Sequence, residues 1–317
     1  MFTLGLFILK GTPVTGNTDY SPRDKDARLT FYVLLWKRRG ITLELFDDYW
    51  RDVHGPVCAR LPGQFQYWQY HVAHNEGGLF PAVEGVEGRT ADEDQFDGIA
   101  ELTFRSASDR QAWIDASTIL MADEHNLFRK AIGYVTAPGN SRTLIDRIQL
   151  GDPNGGLGVV KFHVLVRKAD QVGTGDFRQY MAEQFAQAVA GSPHVQKFRL
   201  HLFEPLDTGR PEAAGVVHDE APEKQYHAAF EIGFRKPLEM EAFFASEAYA
   251  AVAGGLPKFV QKLAPFPERN VYTFVYDGRM TVAGQRGSRA AEVIDSLGAL
   301  NQLRDDILDL VLGKGVR

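Results

Sequence analysis

The chain repeats itself. Residues 29–74 lie over residues 160–205 at a constant offset of 131, without a gap. Val33-Leu34-Leu35 matches Val164-Leu165-Val166, Lys37 matches Lys168, Phe46 matches Phe177, Tyr49 matches Tyr180 and Pro62 matches Pro193. A second block follows at an offset of 130. Glu101-Leu102-Thr103-Phe104-Arg105 matches Glu231-Ile232-Gly233-Phe234-Arg235, Trp113 matches Phe243, Asn140 matches Asn270 and Thr143 matches Thr273. The one-residue slip falls in a variable loop. Self-similarity at a fixed period means one structural unit built twice, so the fold must be two copies of whatever one copy is.

Each copy reads as βαββαβ. Residues 29–38 are β-branched and aromatic, which predicts a strand. Thr42 is placed to cap a helix carrying Leu45, Phe46, Tyr49, Trp50 and Val53 at helical spacing. Pro56 and Leu61-Pro62-Gly63 end that region, and residues 64–73 alternate as a second strand. A Gly/Glu/Asp-rich loop spans about residues 75–95, residues 96–105 form a third strand, and a helix broken near Ser117-Thr118 runs from about 107 to 131. A fourth strand lies within 133–146. This is the split βαβ or ferredoxin-like order. An antiparallel sheet with helices on one face must cover its other apolar face, and the second copy supplies the cover. The expected fold is therefore α+β, an intrachain pseudo-dimeric α/β barrel.

The expected divisions are an N-terminal arm at 1–26, module one at 27–146, a Gly/Asp/Pro/Asn linker at 147–158, module two at 159–280 and a tail at 281–317. The apolar start, Met1 to Lys10, is too short to span a bilayer and lacks the marks of a signal peptide; an edge strand or docked arm is expected. From 288 to 312, Val293, Ile294, Leu297, Leu300, Leu303, Ile307, Leu310 and Val311 recur at helical spacing behind Ser288 as cap. That amphipathic helix packs on the barrel or makes a homodimer with another subunit.

Composition excludes several functions. The 317 residues carry a net charge of −6, which argues against nucleic-acid binding. No stretch reaches a transmembrane length, and a cytoplasmic location is expected. The single cysteine, Cys58, rules out an intramolecular disulfide and a multi-cysteine metal site. It follows His54 by four residues, but a buried apolar thiol is the simpler reading than a Cys/His nucleophile. There is no Gly-x-Gly-x-x-Gly after a strand, no phosphate-binding loop, no His-Glu-x-x-His and no Gly-x-Ser-x-Gly. No cofactor and no metal is expected.

His54 stands out of nine histidines. It lies eight residues after Phe46 and four after Trp50, on the apolar helix face. A histidine there moves protons near neutral pH, or is a core residue bonded to a carbonyl. The offset of 131 carries it onto Phe185, while the scaffold residues Phe46 and Tyr49 are kept. That asymmetry suits an active first copy and a structural second one, and also suits neutral divergence. His71 and His74, three apart on a strand, fall on opposite faces and do not make a metal pair. Asp123 and Glu124 read as helix-surface acids unless they face inward, where either would pair with His54.

The segment Phe46-Asp-Asp-Tyr49-Trp50-Arg-Asp-Val-His54-Gly55-Pro56 resembles the EthD motif, in which a helix ends in Tyr-Trp, a few residues, then His-Gly-Pro. Asp123-Glu124-His125-Asn126-Leu127-Phe128 is similar to that family's acidic-aromatic stretch. The resemblance implies a cofactor-free proton-transfer enzyme, a lyase or isomerase. It would act by decarboxylation, dehydration, cyclisation or lactone rearrangement on a small hydrophobic cyclic or aromatic oxygenated compound. His54 would be the general acid or base, with Glu124, Tyr49 or Tyr70 as partner. Trp36, Trp50, Phe65, Tyr67, Trp68 and His71 would line an apolar pocket inside the barrel. The superfamily also implies two alternatives: a cofactor-free monooxygenase or a haem protein with His54 as axial ligand. A third is a non-catalytic accessory binding protein.

Overall fold

The computed structural model describes residues 19–148, 152–207 and 213–314. Most of the expected N-terminal arm, residues 1–18, lies outside the described residues.

Copy one runs β1 (Leu29–Lys37), α1 (Leu43–Tyr49), a π-helical turn (Trp50–His54), α2 (Gly55–Cys58), β2 (Gln64–Val72), β3 (Gly98–Phe104), α3 (Ala107–Ala116), α4 (Thr118–Leu127) and β4 (Phe128–Asp146). A short strand β5 (Asn154–Gly155) leads into copy two: β6 (Val160–Lys168), α5 (Thr174–Gln179), a π turn (Tyr180–Phe185), α6 (Ala186–Ala190), β7 (Val195–Phe203), β8 (Ala228–Phe234), α7 (Pro237–Phe244), α8 (Glu247–Phe259) and β9 (Val260–Tyr276). Strand β10 (Arg279–Met280), α9 (Val282–Arg286), α10 (Ser288–Leu297) and α11 (Asp305–Val311) complete the chain. Thr42 caps α1, its hydroxyl accepting from the Leu45 N–H at 3.1 Å, the arrangement that satisfies a free helix donor. Both copies carry the π turn, so it belongs to the shared scaffold.

Eight antiparallel strands close into a barrel in the order β9-β2-β3-β1-β4-β7-β8-β6, with β6 pairing back to β9. Two long strands make the closure. β4 pairs β1 from Phe128 to Val135, then β7 from Thr136 to Asp146. β9 pairs β6 from Val260 to Pro267, then β2 from Glu268 to Val275. In β4 the transfer falls at a bulge between Thr136 and Ser141, where Gly139 takes φ 82°; a bulge bends a strand out of one sheet and into the next.

Period-two alternation sorts the side chains. Phe31, Val33, Leu35, Tyr67, Ala100, Leu102 and Phe104 face the helices of copy one. Tyr32, Leu34, Trp36, Trp68, Tyr70 and Ile99 face the barrel interior, where they meet Leu165, Phe203, Ala229 and Phe266 of copy two. The interior also holds charges. Arg199 lies 3.0 Å from Glu101, Lys161 2.7 Å from Glu268, and Lys197 3.0 Å from Asp146. The side chains are all buried, and buried ions persist only when paired. Burial holds the Lys197 ammonium down to about 8.

Three expectations need correction. The second helix of copy one ends at Leu127, not 131, because β4 already begins at Phe128 to pair with Lys37. The tail is not one helix: Gly298 at φ 61° ends α10, a 3-10 turn spans Leu300–Leu303, and α11 follows. Ser288 is not its cap; it sits inside α10 and donates to Asn154 Oδ1 at 2.6 Å. The tail packs on the barrel through Ala291 and Ile294, while Leu297, Leu300 and Leu310 are exposed.

One close approach fixes the helix on the sheet. A Cβ on Gly98 would stand 2.4 Å from the Trp50 ring, so the indole rests directly on the strand backbone. Gly98→Ala should therefore destabilise the protein by about 1–3 kcal/mol, the usual cost of overpacking, read as a lower midpoint in thermal denaturation.

Candidate active site

The π turn, α2, α3 and α4 enclose a cavity against the helix-side face of the copy-one sheet. His54, at the end of the π turn, is 6% exposed. Its Nδ1 donates to Asp123 Oδ2 at 2.9 Å. The other carboxylate oxygen accepts from the Tyr49 hydroxyl at 2.6 Å and from Asn126 Nδ2 at 2.9 Å. Hydrogen bonding from His54 first, then from Tyr49, holds the Asp123 carboxyl well below the usual range. The same hydrogen bond raises the Tyr49 phenol. With Nδ1–H fixed on a carboxylate, His54 presents Nε2 as its basic nitrogen. No partner for Nε2 is found among the described residues.

The cavity has a volume of about 60 Å³ and is lined by Trp50, His54, Cys58, Tyr67, Leu120, Glu124, Phe128 and His218, among others. His218 comes from copy two. Its loop lies along the start of β4, with Val217 N–H donating to Arg129 O at 3.1 Å and Ala131 N–H to Val217 O at 2.9 Å. His218 Nδ1 donates to Ala131 O at 3.1 Å, since a carbonyl only accepts. Its Nε2 then lies 3.2 Å from Glu124 Oε2. The contact is within ion-pair distance but lacks hydrogen-bond geometry, so neither atom has a hydrogen-bond partner among the described residues. Burial pushes the Cys58 thiol up to about 12, which leaves it neutral and inert.

The predicted residues divide between two places. His54, Trp50, Tyr67 and Glu124 line this cavity. Tyr49 does not reach it and acts through Asp123. His71 stacks on Trp50 at 4.7 Å and bonds Asp47 at 2.8 Å, a supporting role. Tyr70, Trp36 and Trp68 lie on the opposite face, inside the barrel. Tyr70 donates to Glu101 at 3.1 Å and is no partner of His54. Phe65 stands at one end of the barrel under the Arg105 guanidinium, 4.5 Å away. The pocket beside His54 is thus between helices and sheet, not in the barrel as expected. Glu124 pairs with His218, and Asp123 takes the place expected for Glu124. His218 was missed, because its partner is far away in sequence and the loop gives no local sign.

The copies can now be compared through the ladder. Lys37 pairs Phe128 and Lys168 pairs Val260, so α4 maps onto α8 at an offset of 132 rather than 130. Asp123 becomes Gly255, Glu124 becomes Leu256, and His54 becomes Phe185. The paired bridges Lys130–Val217 and Glu87–Lys262 equate His218 with Gly88. Tyr180, the counterpart of Tyr49, is kept but donates to Val252 O instead. Phe80, from the copy-one loop, fills the corresponding space against Phe162 and Phe244 at 5.1 and 4.8 Å. His54, Asp123, Glu124 and His218 are each replaced by an apolar residue or glycine in the second copy.

The architecture is that of a dimeric α/β barrel folded from one chain. Residues 38–131, within copy one, match the EthD domain. Among solved structures, an anthrone oxidase-like protein is similar at 11% identity with a TM-score of 0.48, over 79% of this chain and 94% of its own. A chlorite dismutase variant from Candidatus Nitrospira defluvii is similar at 10% identity with a TM-score of 0.40, over 78% of this chain and 94% of its own. No curated protein matches the chain.

A depressed carboxyl stabilises the fold above its unfolded value of about 3.9 and loses that contribution as pH falls toward the folded value. Asp123→Asn should therefore lower the melting midpoint at pH 7. The gap from the parent should shrink as pH is taken below about 4, measured by denaturation across pH.

Proposed function

We propose that the chain is a cofactor-free proton-transfer enzyme, a lyase or isomerase acting on a small hydrophobic oxygenated compound at the His54 cavity. The observation that carries this reading is the convergence of two histidine–carboxylate pairs on one apolar cavity, both erased from the second copy. The pairs have complementary states. His54, with Nδ1–H on Asp123, offers Nε2 as base. In this reading the His218–Glu124 pair, 3.2 Å apart, is the acid that gives a proton away. Separating a base and an acid in one site is how a single fold runs both halves of a proton transfer.

In this scheme His54 removes a proton from carbon next to a carbonyl, and Asp123 stabilises the imidazolium that forms. The His218–Glu124 pair delivers its proton to the carbonyl oxygen or to a departing hydroxyl. That sequence serves isomerisation, dehydration or cyclisation. Trp50, Tyr67, Leu120 and Phe128 exclude water and supply apolar contact. Tyr49 and Asn126 position Asp123 and touch no substrate.

Size constrains the ligand. An engineered cavity of about 150 Å³ takes up benzene, so a ring enters a space of about 60 Å³ only by pushing lining side chains aside. A cavity of about 60 Å³ has no room for a haem macrocycle beside His54.

Exchange of the α-hydrogens of 2-tetralone in deuterium oxide, followed by NMR, tests the reading without knowing the natural substrate. The parent should accelerate exchange, and His54→Ala should reduce it by about 10²- to 10⁴-fold with an unchanged circular dichroism spectrum. Glu124→Gln should slow it less. Exchange by His54→Ala at the parent rate sinks the proposal.

A further inference from the structure

A second cavity, of about 250 Å³, lies at the end of the barrel beside the turn Ser21–Asp24. The copy-one sheet separates it from the His54 site, because Tyr67 faces one cavity and Trp68 the other. Trp68, Tyr70, Lys197 and Arg199 form its buried wall, and Phe65 and Arg105 its rim.

Two donors on that wall have no acceptor among the described residues: Trp68 Nε1–H and Arg199 Nε–H. They are neighbours, with the guanidinium carbon 5.5 Å from the indole centroid. Trp68 and Arg199 are 4% and 5% exposed, so bulk water does not reach them freely. The Arg199 Nη2 is engaged, 3.0 Å from Glu101. Buried polar hydrogens are almost always paired in native proteins, and two orphans side by side ask for an acceptor. The acids along the cavity are committed elsewhere. Asp24 accepts from the Thr143 hydroxyl at 3.0 Å, Asp146 pairs with Lys197 and Arg23, and Asp277 accepts from Gln66 at 3.3 Å. Asp26 is exposed at the mouth. Arg105 has no carboxylate within ion-pair distance among the described residues and lies over the Phe65 ring.

We propose that this barrel-end cavity binds a small aromatic carboxylate, whose acid oxygens accept from Trp68 Nε1 and Arg199 Nε and whose ring packs between Phe65 and Trp68. A carboxylate is acceptor-only and matches a guanidinium edge. The volume suits a ring bearing one acid group, since a smaller apolar cavity already holds benzene. Arg105 adds positive potential at the rim. This site stands whether or not His54 is catalytic.

Titration of the full chain with benzoate by calorimetry tests it. Benzoate should bind, and benzyl alcohol, with the same ring and no acid, should not. Trp68→Phe keeps the ring and removes one orphan donor; Arg199→Lys keeps a cation opposite Glu101 and removes the other. Each should weaken benzoate about tenfold, the loss of one charge-assisted hydrogen bond. His54→Ala should bind as the parent does. Trp68→Phe should melt no lower than the parent, so it decides the matter even if Arg199→Lys fails to fold. Absence of benzoate binding, as a cavity filled by water alone would give, overturns the proposal. So does parental affinity in Trp68→Phe, or loss of binding in His54→Ala.

Discussion

Strands β4 and β9 each belong to two sheets, and the rest of the structure depends on that sharing. Each begins against the first strand of its own copy and ends against the second strand of the other. Opening either half would expose Leu34, Trp36, Trp68, Phe203 and Phe266 together. At roughly 2 kcal/mol for each large side chain, that is about 10 kcal/mol, comparable to the whole stability of a typical domain. Neither copy is a self-sufficient unit. The connection within one chain makes the pairing intramolecular and independent of protein concentration.

The barrel interior combines this apolar contact with charges that cost more to bury than they return as attraction. The side chains of Glu101, Glu231, Glu268, Lys161, Lys197 and Arg199 are buried within it. Two pairs cross between the copies, Arg199 with Glu101 and Lys197 with Asp146, and these require the two halves to meet in one register. A slip by one residue between the halves would reverse the faces and strand the ions of those two pairs. The network thus adds specificity to a closure that the apolar residues drive.

Duplication also freed the copies to differ. The loops cross over: Phe80 of copy one fills the helix-side space of copy two, and His218 of copy two reaches into that of copy one. One space became packed and the other kept room between two histidine–carboxylate pairs. The π turn and the tyrosine that follows the first helix persist in both, because they set the helix on its sheet. The polar groups persist only where the cavity remains.

The sequence by itself determined the duplication, the order of elements, the Thr42 cap, and the placing of His54 on a helix face toward its sheet. Those follow from local spacing, which a helix or strand converts directly into a face. Which face meets which neighbour was decided only by closure. Alternation along β2 puts Tyr67 and Trp68 on opposite sides, but the barrel made one side a helix-covered site and the other a charged interior. For that reason Tyr70, Trp36 and Trp68 stand apart from His54. The choice between the adjacent Asp123 and Glu124 was set by one step of helix rotation, which sends the first to His54 and the second to His218. His218 was invisible for a related reason: its loop acquires a role only when the second copy folds against the first. The repeat names the two halves, and the contact between them makes the site.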